Sequence, residues 1–81
     1  MERIREPVRV AAVFSPGMQI KPAWFDWRHR KHTVVETTYC WKGMAGEALL
    51  LHFSVTDGEA LFELIYNTVD QSWMLNGVEA H

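Results

Sequence analysis

A single cysteine, Cys40, stands among the 81 residues, so no intrachain disulfide is available. Secreted domains of this size usually depend on such staples, and the expectation is therefore a reducing cytoplasm. Long apolar runs are also missing: no stretch approaches the roughly 20 residues that cross a bilayer as a helix, so a soluble chain with no membrane partner is expected. Residues 1–7 are charged and carry no apolar core of the kind a signal peptide needs. Neither sign of charge dominates. Eight basic and ten acidic residues give a formal charge of −2, which excludes a global pull on nucleic acid or an anionic membrane and leaves only a local patch.

The signatures of common chemistries are absent as well. Gly43 and Gly46 sit between strand signals with no helix behind them, so they form no phosphate cradle. Metal binding would have to draw on His29, His32, Cys40 and His52, but no paired Cys-x-x-Cys or His-x₃-His spacing is present, and no metal or other cofactor is expected. Cys40 lies between Tyr39 and Trp41, a setting that reads as packing, so a buried and inert thiol is expected rather than a nucleophile. Asp57 and Asp70 read as turn residues, and Glu59 and Glu63 lie along one strand. Glu63 is the acid expected to be partly buried, with a cross-strand Lys or Arg as its partner. With no catalytic constellation in view, a binding module is expected, not an enzyme.

What the chain does have is aromatic mass and a two-residue period. Four Trp, four Phe and two Tyr supply large side chains to a domain that can bury only about 60–65% of its unfolded surface. The whole chain, 1–81, reads as one β-domain with an ordered core at about 7–78. A first strand is expected over residues 8–14, ended by Ser15-Pro16-Gly17, with a short extended piece following over residues 18–21. Residues 23–27 form a short aromatic strand in which Trp24 and Asp26 share one face and Phe25 and Trp27 the other. A turn at 28–31 leads into a long strand over 32–41, whose apolar residues change parity and imply a β-bulge near Glu36. Residues 42–47 read as a loop.

Alternation is cleanest over 48–56, where Leu49, Leu51, Phe53 and Val55 line one face. Asp57-Gly58 is the strongest turn signal and predicts a two-residue type I′ hairpin. The return strand, 59–67, turns Ala60, Phe62, Leu64 and Tyr66 inward; Leu61, Leu64 and Ile65 also fit a helical stripe, but the Asp-Gly turn and the alternating strand before it favour strand. A last strand over 72–78 places Trp73 and Leu75 inward, with 79–81 fraying. The fold class expected is all-β, a five- to six-stranded antiparallel meander curled into an SH3-like partly closed barrel.

Two stretches carry a family resemblance. Trp27-Arg28-His29-Arg30, then His32, Val34 and Trp41, is similar to a Trp-Arg-Gly-Arg…Tyr-x-Val…Trp pattern. Phe62-Glu63-Leu64-Ile65-Tyr66-Asn67 followed by Trp73-Met74-Leu75 resembles Tyr-Glu-Leu-Tyr-Tyr-Asp…Trp-Tyr-Leu. Both belong to an uncharacterised group of small bacterial β-domains, found alone or at the C-terminal end of proteins related to Y-family polymerases. The likeness spans about residues 7–78 and departs at His29, where the family tends to Gly, and at His32, where it tends to Tyr. It implies a small β-domain and an association with DNA transactions, and it assigns no catalytic residues.

The most suggestive local feature is the basic cluster Arg28, Arg30 and Lys31 set directly after Trp24 and Trp27. Cations that track phosphates beside rings that stack on bases are the elements of a single-stranded nucleic-acid site. The plain alternative is a solvated hairpin tip whose neighbouring rings point into the core. Trp24, Trp27, Arg28, Arg30, Lys31 and Trp41 are the candidate binding residues. A competing expectation is a protein-interaction domain, an adaptor or weakly self-associating subunit, with Trp24, Trp41 and Trp73 forming a groove for an extended or Pro-rich peptide.

Overall fold

A computed structural model of the chain describes residues 1–17 and 19–80; the expectations for Met18 and His81 lie outside them. Among the described residues there are eight strands: β1 (Glu2–Pro7), β2 (Arg9–Ser15), β3 (Gln19–Trp27), β4 (Arg30–Thr33), β5 (Glu36–Ala45), β6 (Ala48–Thr56), β7 (Ala60–Asn67) and β8 (Ser72–Ala80). They form two antiparallel sheets, a five-stranded one in the order β1-β8-β7-β6-β5 and a three-stranded one in the order β2-β3-β4. The chain is all-β, and none of the described residues forms a helix long and apolar enough to cross a membrane.

Two sharp bends account for the difference between eight strands and the five to six expected. Val8, between β1 and β2, still donates its N–H to the Trp73 carbonyl of β8 at 3.2 Å before the chain enters the smaller sheet. At the other corner Val34 donates to Ala23 of β3 at 2.9 Å, and the next residue, Val35, donates to Thr56 of β6 at 2.8 Å. Adjacent residues thus pair with different sheets, and each bent segment serves both. With the bent segments 2–15 and 30–45 each taken as one strand, six remain, an arrangement compatible with a small β-barrel. The parity change expected near Glu36 is present: the β5–β6 register shifts between Thr37 and Tyr39, just after the sheet change.

The core lies between the two sheets. Phe25, Val55, Phe62, Leu64 and Leu75 are essentially sealed from solvent, joined by Leu51, Phe53 and Tyr66. Apart from Phe25 of β3, this is the set that two-residue alternation selects in β6, β7 and β8. Each such side chain contributes about 1.5–3 kcal/mol by leaving water. Strand β2 contributes less than its apolar run suggests: Val10 packs on the core, but Val13 and Phe14 remain 58% and 59% exposed.

Several local expectations are corrected. β1 occupies residues placed before the ordered core, and Glu79 and Ala80, expected to fray, pair with Leu61 and Ala60. Strand β5 runs on through most of the expected 42–47 loop, leaving only Gly46 and Glu47 as the turn. The Asp57-Gly58 turn is not type I′, because Gly58 has a positive φ (97°) and Asp57 does not. The Asp57 carboxylate accepts the N–H groups of Glu59 and Ala60, both at 2.9 Å, and that side-chain cap holds a longer turn. The type I′ signature appears instead at Arg28-His29, with φ of 52° and 63°, closing a two-residue loop between paired Trp27 and Arg30.

Candidate functional site

The tight Arg28-His29 turn fixes the register of β3 against β4. Trp24 falls opposite Thr33 and Asp26 opposite Lys31, while on the other side of β3 Ala11 faces Trp24 and Arg9 faces Asp26. The alternate residues Phe25 and His32 are buried, so Trp24 stands at the centre of the outer face of the three-stranded sheet. Two cations flank its ring: Lys31 Nζ lies 4.9 Å and Arg9 Cζ 5.6 Å from the centroid, inside the roughly 6 Å reach of cation–π attraction. Arg9 is also held by Asp26, through Nε at 2.9 Å and Nη2 at 2.5 Å.

The six candidate residues therefore divide. Trp24 and Lys31 come together on this face. Trp27 packs against the core, edge-on to Phe62 at 6.4 Å, and its indole N–H donates to Glu6 at 3.1 Å. Arg28 lies over the Trp27 ring at 4.5 Å and donates to the other oxygen of Glu6 at 3.2 Å. Arg30 reaches toward Glu59 at 3.9 Å. Trp41 belongs to the other sheet, opposite His52 in the β5–β6 register. It stacks on the His52 ring at 4.9 Å and meets Tyr39 at 5.4 Å. By parity with Leu51 and Phe53, these three rings lie on the outer face of the five-stranded sheet. Tyr39 is 66% exposed. Trp73 packs against the core instead, on Tyr66 and Phe53, apart from the outer faces that carry Trp24 and Trp41.

Arg9 was absent from the candidate set, although strand alternation in β2 puts it beside Ala11 and hence beside Trp24. A second missed feature is the pairing of His32 with Asp57. His32 is stacked on Phe25 (5.1 Å, 12°) and contacts Phe62 and Trp27, with its Nδ1 3.1 Å from the Asp57 carboxylate. The contact ties β4 of the small sheet to the β6–β7 turn of the large one. Burial acts to raise the Asp57 pKa, but the N–H groups of Glu59 and Ala60 and the His32 ring outweigh it, and the carboxyl is held below its ordinary value.

The expected buried thiol is corrected: Cys40 is exposed. It has the parity of the core residues, lying opposite Phe53, but β5 is the outermost strand of its sheet and the side chain stays exposed at that edge. Glu63 is partly buried as expected, yet its partner is the amide of Asn76, not a Lys or Arg. Among the described residues no three His, Cys, Asp or Glu side chains gather as a metal site.

No protein-family model, curated protein or solved structure matches this chain.

Proposed function

We propose that the chain is a non-catalytic binding module for single-stranded nucleic acid, working through the outer face of the three-stranded sheet. The observation that carries this reading is Trp24, half-buried on the outer face of the three-stranded sheet with Lys31 and Arg9 over its ring. An indole there offers a stacking platform, and long cationic side chains beside it can swing to phosphates at little cost. Arg28 and Arg30 extend the basic strip along the turn. Their carboxylate partners do not disable them, because the arginine side chains are 62% and 72% exposed and such surface pairs contribute only about 0–1 kcal/mol. The resemblance to domains attached to polymerase-like proteins points the same way by association. One exposed thiol and no disulfide fit a cytoplasmic setting.

A second reading, an SH3-like protein-interaction domain, is favoured by the outward ladder of Tyr39, Trp41 and His52 with Met74 39% exposed. Aromatic and Met side chains are enriched in such interfaces.

Titration of labelled oligo-dT at low ionic strength separates the two. With about three cations engaged, the log–log salt slope is expected near −2, at about −0.7 per phosphate neutralised. Trp24→Ala should cost about 1–3 kcal/mol and leave that slope intact. Arg28→Ala with Arg30→Ala should flatten it. No binding at about 100 μM, the usual reach of non-specific contacts, would transfer the lead to the protein-interaction reading.

A further inference from the structure

Between the start of β3 and the β5–β6 edge a groove of about 470 Å³ opens, well inside the roughly 300–1,000 Å³ of small-molecule sites. Ile20, Leu51 and Phe53 supply its apolar wall, and Leu51 and Phe53 belong to the core itself. Two cations also line it, Lys21 from β3 and Lys42 from β5, and no Asp or Glu does. Glu36 lies in an adjoining depression beside Lys21. Among the described residues neither lysine has a carboxylate within ion-pair distance, whereas Arg9, Arg28 and Arg30 each do.

An apolar cleft with uncompensated positive charge is complementary to one kind of molecule. A neutral apolar ligand would leave both ammonium groups unused. A polyanion would gain nothing from the hydrocarbon wall. We propose that this groove binds a small amphiphilic carboxylate, with its apolar body against Ile20, Leu51 and Phe53 and its head group at Lys21 and Lys42. The site shares no residue with the Trp24 face and does not depend on the nucleic-acid reading. Cys40, an exposed thiol in the groove wall, serves as a built-in reporter of occupancy.

The test uses the full chain, with decanoate below its micelle concentration and decanol as the neutral counterpart. Decanoate is expected to bind at least about tenfold more tightly, the equivalent of one charge-assisted contact, and to slow alkylation of Cys40 by iodoacetamide. Lys21→Met with Lys42→Met should abolish the preference and leave decanol affinity unchanged. Equal affinity for the two probes, a preference that survives the double substitution, or no saturable binding would each overturn the proposal. Should the double variant fail to fold, protection of Cys40 in the wild-type chain by decanoate at concentrations about tenfold below those decanol needs decides in its favour, and equal or absent protection decides against it.

Discussion

Replacing Asp57 by Ala removes a carboxylate that does three things at once. It accepts the Glu59 and Ala60 N–H groups of the β6–β7 turn and pairs with the buried ring of His32. Losing the turn cap costs about 1 kcal/mol by analogy with helix caps, and leaving a buried imidazole nitrogen without its partner costs about 1–3 kcal/mol. The expected loss is about 2–4 kcal/mol, against a total near 4–12 kcal/mol for a domain of this length at about 0.05–0.15 kcal/mol per residue. In urea, with m of about 1 kcal/mol/M, the midpoint should fall by roughly 2–4 M at unchanged m. Asp57→Asn keeps an oxygen for the turn and should lose only about 1 kcal/mol.

The same carboxylate sets an acid limb. Its folded pKa lies below the ordinary value, so as pH drops below about 4 the unfolded chain takes up the proton first and stability falls. The loss continues until the pH has passed the folded value. Asp57→Asn should flatten this contribution while the other acids retain theirs. An Asp57→Ala midpoint within about 0.5 kcal/mol of wild type, the scatter of ordinary surface changes, would refute the assignment of Asp57 as the tie between the sheets. So would an acid limb left equally steep by Asn.

His29→Gly should stabilise the chain by roughly 1 kcal/mol in thermal or urea unfolding, because a side chain at φ 63° carries a left-handed penalty of about 1–2 kcal/mol that glycine escapes, less its greater unfolded entropy. Phe62→Ala should cost about 3–5 kcal/mol and leave part of the population unfolded at 25 °C by circular dichroism, since the ring is 2% exposed and meets Phe25 at 5.0 Å. Cys40 should react with a thiol reagent in the native state within about tenfold of the free amino-acid rate, as exposure rather than global unfolding controls access.

Side-chain periodicity made the large sheet legible. Leu51, Phe53, Val55, Phe62, Leu64 and Leu75 alternate strictly and are the residues the core uses. The sheet changes at Val8 and at Val34-Val35 were not legible, because a strand that switches partners keeps its β propensity and only its hydrogen bonds change hands. The Asp57-Gly58 dipeptide misled for a related reason: a carboxylate able to cap two N–H groups converts an ideal type I′ sequence into a longer turn, while the true two-residue turn sits on Arg and His. At the candidate site, the outward facing of Trp24 followed from counting, since Phe25 had to be inward. What counting along one strand could not supply was cross-strand company. Arg9 beside Trp24, and Glu6 beneath Trp27 and Arg28, lie 15 or more residues away in sequence and are brought there by register alone. Cys40 carries core parity but sits on an outermost strand, and parity cannot tell a reader where a sheet ends.

The most direct test of the proposed function is amide chemical-shift mapping of the full chain during titration with oligo-dT at low salt. The account predicts perturbations concentrated at Arg9, Ala11, Trp24, Lys31 and Thr33, the outer face of the three-stranded sheet, with the Trp24 indole signal moving most. Shifts confined to Tyr39, Trp41 and His52, or no shifts at saturating oligonucleotide, would contradict it.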